Sequence, residues 1–460
     1  MESAGSMALV LLLCLIFLGG ASAISAGSSD GSQRWGYTKP RRVTLLHACR
    51  SVCADVNMFW WWYRSPQPLR VSTPARPWPT GLWLQGGPGG SSTGRGNFLE
   101  IGPLDGNLQP REFTWLKLAD LIFVDAPVGV GFSYADHESA LAKSDDQAVL
   151  DLMGVVKALV RELPSLESSP LYLVGESYGG KFAVKLAVSL VKDIKDGNIS
   201  NLTLGGVVLG DAWISPADYA VSYAKLLNAV SRLNDNAVGD VDKMGIKVKE
   251  QIEAEQFAAA QKTWTDQLDV IDSKSDSVNM DNFLIDTGMS PVLATGSQLL
   301  SGRNSSKAYE SALYITFEDI INKVIKPLLK IIPKSIVWHE ATLEVYELLK
   351  NDFMKPAVKE VEELLALGVS VTVYQGQYRL NYIFLLKLDV IVPTIGVETW
   401  VRKLKQATLL PLHYCDSAIH CSQQIKAYVR SYKNLGHMVP VDQPYAAFRM
   451  IAETTRIPRC

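Results

Sequence analysis

Cysteine is scarce: six residues in a chain of 460. Disulfides therefore cannot define the fold, and an apolar core must. The 47% of hydrophobic residues is ample for one. Cys14 lies in the N-terminal apolar run, which leaves Cys49, Cys53, Cys415, Cys421 and Cys460, an odd number. Cys49/Cys53 and Cys415/Cys421 are near enough for local bridges, but neither pair has the CxxC spacing of a zinc site. Surplus charge is also absent. Forty-five basic residues face 47 acidic ones, a net charge of −2. With no basic excess to neutralise phosphates, nucleic acid is excluded as an expected partner. Single-sign charge runs and internal repeats are missing too, which argues against charged interaction tails and solenoids. No apolar stretch after the N-terminus is long enough to span a bilayer.

The N-terminus reads as an address. Residues 7–18, MALVLLLCLIFL, are apolar but short for a membrane span, and Ala21-Ser22-Ala23 supplies small residues for cleavage. The flank before the run carries no Lys or Arg. Residues 1–23 are expected to be a secretory signal peptide, with the mature chain secreted, vacuolar or lysosomal and free of the membrane. Sequons at Asn198, Asn201 and Asn304 agree with that route as candidate glycosylation sites.

Short apolar runs alternate with helical spacing along the chain. Met58–Tyr63, Leu82–Leu84, Leu121–Val124, Leu171–Val174, Leu204–Leu209 and Val369–Tyr374 read as strands. Asp145–Leu163, Lys181–Val191 and Glu344–Leu367 read as helices, and residues 24–56 show no clear periodicity. The pattern predicts an α/β fold: a mostly parallel central sheet with helices on both faces. Residues 215–335 are more polar and helical and are expected to form a cap inserted into one catalytic domain spanning 24–460.

Two motifs carry chemistry. Gly175-Glu176-Ser177-Tyr178-Gly179 fits G-x-S-x-G between a strand and a helix, the setting of a nucleophile elbow. This predicts an α/β-hydrolase with Ser177 as nucleophile. The base must follow the serine in this fold, so His339, His413, His420 and His437 qualify; spacing alone leaves the choice open, although His437 stands in the loop-forming Gly436-His-Met-Val-Pro. The glycine-rich Gly86–Ser92 turn follows a strand and can aim backbone N–H groups at an oxyanion. It lacks the Gly-Lys-Ser/Thr ending of a phosphate loop.

WLQGGPGGSS, GESYGG and GHMVP together resemble the serine carboxypeptidases, and MFWWWYRSP, GNFLEIGPLD, LIFVDAPVGVGFSY, LGDAWISP, DFMKP and SYKNL extend the resemblance over most of 57–460. The resemblance implies that Ser177, His437 and Asp389 act as nucleophile, base and orienting acid. It implies an oxyanion hole at the N–H groups of Gly87 and Tyr178. It assigns the substrate's terminal carboxylate to Gln85, Gly86, Glu100 and Glu176, with the two glutamates sharing a proton. The implied activity is release of C-terminal amino acids from peptides or proteins at acidic pH through an acyl-enzyme, without metal or cofactor. An acyltransferase on the same scaffold is the alternative, and a catalytically impaired homologue is a third reading.

Three departures from the family pattern bear on that expectation. Residues 41–56 do not resemble the family's short strand before MFWW. An extra segment, 378–387, precedes Leu388-Asp389. The apolar strand expected between SYKNL and GHMVP is missing, which predicts lost burial and a displaced His437.

Overall fold

The apolar runs become strands of one sheet because both of their faces are covered. A computed structural model describes residues 24–47, 50–66, 77–286, 316–380, 384–386, 388–405, 425–431 and 436–455. Residues 1–23, Asn304, Cys49, Cys415, Cys421 and Cys460 lie outside that set, and with them the expected signal peptide, one sequon and the candidate local cysteine pairings. Among the described residues, no helix is long and apolar enough to cross a membrane.

The strands are β1 (Ile24–Gly27), β2 (Gln33–Thr38), β3 (Arg42–His47), β4 (Arg50–Tyr63), β5 (Thr80–Leu84), β6 (Asp120–Val124), β7 (Tyr134–Ala135), β8 (Leu171–Glu176), β9 (Leu204–Gly210), β10 (Val371–Leu380), β11 (Phe384–Leu386) and β12 (Ile425–Ser431). The centre, β6-β5-β8-β9-β10-β12, is parallel throughout. Antiparallel β4, β2 and β1 extend one side, while β3 and β7 also pair with β4.

Side-chain alternation explains why Met58–Tyr63 is apolar without a break. Met58, Trp60 and Trp62 enter the core on one face, together with Leu82, Leu173 and Leu209. Phe59, Trp61 and Tyr63 enter the other, with Trp83, Val174 and Val208. A strand buried on both faces needs apolar residues at every position. Helices Asp145–Glu162 and Gly179–Lys195 cover the first face; Ser92–Ile101 and Pro444–Thr454 cover the second. The Asp145–Glu162 helix starts where Ser144 accepts the Gln147 N–H, with Asp145 and Asp146 in its first turn, and ends ahead of Pro164.

The order β6-β5-β8 creates a switch point. The chain leaves β5 toward β6 on one side, then crosses to β8 on the other. Loops leaving the carboxyl ends of β5 and β8 therefore diverge and open a crevice between them, the usual ligand position in open parallel sheets.

Several sequence expectations need correction. Residues 24–56 contain β1–β3 and the start of β4; their pairing partners are distant in sequence, so local periodicity did not reveal them. The Glu344–Leu367 helix is two, Leu343–Phe353 and Val358–Ala366, because Pro356 lacks the N–H that would continue the turn. Of the extra segment before Asp389, residues 378–380 lengthen β10 and residues 384–386 form β11, which pairs antiparallel with them. The missing strand is supplied upstream of SYKNL by β12, which lies parallel to β10 from Val371↔Ile425 to Gln377↔Ser431. The predicted displacement of His437 does not occur.

Candidate active site

Ser177 sits at the carboxyl end of β8 with φ 54, the left-handed region. Such strain persists only where neighbours enforce it. Here the Ser177 N–H donates to Gly210 O at 2.9 Å, and its carbonyl accepts from Gly180 N at 3.0 Å and Trp213 N at 2.8 Å. A Cβ at Gly179 would lie 2.1 Å from Leu84 O, so only glycine lets the elbow pack against β5. Gly86 meets the elbow from the other side. Its Cβ would fall 2.5 Å from Ser177 Cβ and 2.8 Å from Tyr178 N. The Gly86–Ser92 turn thus lies directly over the Ser177 side chain and the N–H of Tyr178. That N–H belongs to the N-cap residue of the Gly179–Lys195 helix, where donors lack intrahelical acceptors and the helix dipole favours an anion.

Asp125, just past β6, holds the glycine turn in place. It accepts from Ser91 Oγ at 2.7 Å, Thr93 N at 2.9 Å, Thr93 Oγ1 at 2.5 Å and Phe132 N at 2.9 Å. The Tyr178 side chain is also anchored. Its ring stacks on Phe353 at 5.5 Å, and its hydroxyl donates to Asp145 Oδ1 at 2.8 Å. Lys181, fully buried, completes this cluster by contacting Asp145 Oδ2 at 3.1 Å and Asp352 O at 2.6 Å.

His437 and Asp389 meet although β12 and the β10–β11 hairpin were the doubtful parts of the sequence. His437 Nδ1 lies 2.9 Å from Asp389 Oδ2. The wholly buried Asp389 also accepts from Gln375 Nε2 at 3.1 Å and Val392 N at 3.0 Å. Three donors fix the carboxylate, and the carboxylate fixes the ring, leaving Nε2 for the cavity. Burial alone would depress the imidazole pKa; the Asp389 charge and hydrogen bond outweigh it and hold His437 above its ordinary value.

A cavity collects most of the sequence-derived residues: Gln85, Gly86, Gly87, Glu176, Ser177, Tyr178 and His437 all line it. Asp389 stands behind His437. Glu100 stands in the same relation to Glu176, and both glutamates are buried. Glu176 Oε1 accepts from Gln85 Nε2 at 2.9 Å, and Gln85 Oε1 is held by Trp83 Nε1 at 2.7 Å. Burial pushes the Glu176 carboxyl far up, and the neighbouring Glu100 charge pushes it further. Burial raises Glu100 as well. The pair therefore retains a proton where free carboxylates have lost theirs.

Other lining residues had no role assigned from the sequence. Trp213, Trp264, Phe353 and Ile391 form an apolar wall. Arg95, from the helix after the glycine turn, and Asp281, whose carbonyl accepts the His437 N–H at 2.9 Å, also face the cavity. Asp281 lies within 215–335, so that segment contributes directly to the site. Gln375 lies inside β10, and nothing in its sequence neighbours pointed to Asp389.

A serine carboxypeptidase family model matches residues 29–456. Serine carboxypeptidase-like 51 of Arabidopsis thaliana is 41% identical, covering 98% of this chain and 98% of that protein. Retinoid-inducible serine carboxypeptidase of Mus musculus is 37% identical, covering 97% of each. The crystal structure of the prohormone-processing carboxypeptidase Kex1 from Saccharomyces cerevisiae superposes with a TM-score of 0.68 at 19% identity, covering 92% of this chain and 91% of that one, and shares its fold. On full-length similarity, and with the fold in agreement, the chain belongs to the serine carboxypeptidase family of α/β-hydrolases.

Proposed function

We propose that the chain removes single C-terminal residues from peptides by acyl transfer to Ser177 and then to water. His437 Nε2 takes the proton of Ser177 Oγ as the oxygen attacks the last peptide carbonyl. The N–H groups of Gly87 and Tyr178 stabilise the oxyanion. The C–N bond then breaks, His437 returns the proton to the departing amine, and water repeats the sequence on the ester. Asp389 keeps the imidazole in the right tautomer throughout.

The observation that carries this reading is the buried Glu100–Glu176 pair next to the nucleophile, joined to Gln85. Two ionised glutamates would repel a substrate carboxylate, but a pair holding one proton can donate to it. Such a site suits a peptide's free end better than a mid-chain bond or an uncharged ester. The apolar wall of Trp213, Trp264 and Phe353 supports binding of an apolar side chain beside it. The reading is tested by incubating folded protein with a peptide panel at several values between pH 4 and 8 and following mass loss. Release of one terminal residue at a time is expected; no release from any peptide would sink it.

The sign of the pH dependence follows from two groups. The carboxyl pair binds substrate while it holds its proton, so KM for carboxylate-ended peptides rises as pH climbs through its raised pKa. His437 must be neutral to act as base, so kcat falls as pH drops through its own raised pKa. Glu176→Gln keeps a donor at every pH. It should flatten the alkaline rise in KM while leaving the acidic limb in place, as read from kcat and KM between pH 4 and 8.

The helical segment within 215–335, including Asp235–Glu253 and Phe257–Lys274, is proposed as a cap, since Trp264 and Asp281 from it line the cavity. The N-terminal leader and the exposed sequons at Asn198 and Asn201 support a glycosylated protein of the secretory pathway, secreted or delivered to a lysosome-like or vacuolar compartment.

A further inference from the structure

Arg95 is 7% exposed, yet it lines the cavity. A guanidinium carries five N–H donors and is costly to bury without partners. Among the described residues, its side-chain contacts are weak. Nε donates to Met438 Sδ at 3.3 Å, a poor acceptor. Nη1 stands 3.5 Å from Glu340 Oε1, a buried oxygen that has no hydrogen bond among the described residues. The cation is tolerated because Glu340, Glu100, Glu176 and Asp281 surround it, but their attraction acts through space rather than through a completed hydrogen-bonded fork.

The position of this unfinished fork is informative. Arg95 shares the cavity wall with Gln85 and Glu176 and touches Met438, the neighbour of His437. A residue leaving toward His437 would have its terminal carboxylate between these groups. A protonated glutamic pair offers one strong donor, whereas a carboxylate has two oxygens to satisfy. A guanidinium matches the remaining acceptor sites.

We infer that Arg95 binds the terminal carboxylate of the peptide, acting beside Gln85, Gly86, Glu100 and Glu176 as a specificity-determining residue. The inference rests on the carboxypeptidase reading above. It gives the site a permanent positive charge beside donors that depend on a proton.

The test uses Ser177→Ala protein, which binds without turnover, and calorimetry with an N-acyl dipeptide and its C-terminal amide. The parent should bind the free acid more tightly than the amide. Adding Arg95→Met should weaken the acid at least about thirtyfold, the lower range for deleting one side of a buried charge pair. Amide binding should be unchanged, which also reports an intact cavity. Arg95→Lys should restore part of the gap. The inference is overturned by equal binding of acid and amide in the parent, by equal losses for both, or by no loss. It is also overturned if only peptides ending in Asp or Glu are affected, which would mean side-chain recognition. Failure of the peptidase reading looks different: wild-type protein releases no residue, whatever Arg95 does to binding.

Discussion

Ser177→Ala is expected to abolish labelling by a fluorophosphonate probe and to lower peptide release by at least about 10^4-fold. The probe needs an activated serine and an oxyanion hole but no knowledge of the substrate, so it isolates the machinery from its specificity. Asp389→Asn should reach a similar loss, about 10^4-fold in kcat, by another route. The Asp389 carboxylate accepts from Gln375, Val392 and the His437 ring. An amide has one acceptor oxygen and adds a donor where an acceptor is required. The ring then turns or changes tautomer, and Nε2 no longer accepts the serine proton. Labelling that persists in Ser177→Ala, or full activity in Asp389→Asn, would mean that another constellation does the chemistry.

Lys181→Met should destabilise the protein by about 3–5 kcal/mol, the cost of leaving a buried carboxylate without its cation. Lys181 and Asp145 are both buried and lie 3.1 Å apart. Lys181 also contacts the Tyr178 hydroxyl at 3.1 Å and the carbonyl of Asp352. The single variant keeps Lys181's volume but not its charge. Asp145→Asn combined with Lys181→Met should recover much of the loss, because no charge is then stranded. Denaturant midpoints for the parent, both singles and the double measure this directly. A single variant within about 1 kcal/mol of the parent, or a double no better than Lys181→Met, would show that the pair is not what holds this region. Weakened probe labelling in the folded single variant would further connect the cluster to Tyr178, whose N–H is proposed to bind the oxyanion.

The reach of the sequence differed between parts of the site. Ser177 was legible because an elbow is local: strand, tight turn and helix are consecutive, and its glycines meet atoms a few residues away or on the adjoining strand. The glycine turn was legible for the same reason. His437 and Asp389 needed the family resemblance, since four later histidines fitted the order equally well. The departures around them misled. A segment lacking a strand next to His437 suggested a broken site, but strand pairing has no fixed sequence distance. Residues 425–431 take the place beside β10, and of the extra residues 378–380 and 384–386 pair antiparallel at its end.

By itself, the sequence determined the α/β layering, the strand–turn–helix around Ser177 and the identity of the glycine turn, because apolar alternation and tight-turn sterics act over a few residues. Tertiary structure alone decided which strand completes the sheet beside β10 and which donors hold Asp389. It also decided that Arg95 and Asp281 face the same cavity as Ser177. Those outcomes depend on hydrogen-bond ladders and burial between segments far apart in the chain, where the energy lies in the pairing and neither partner shows it alone.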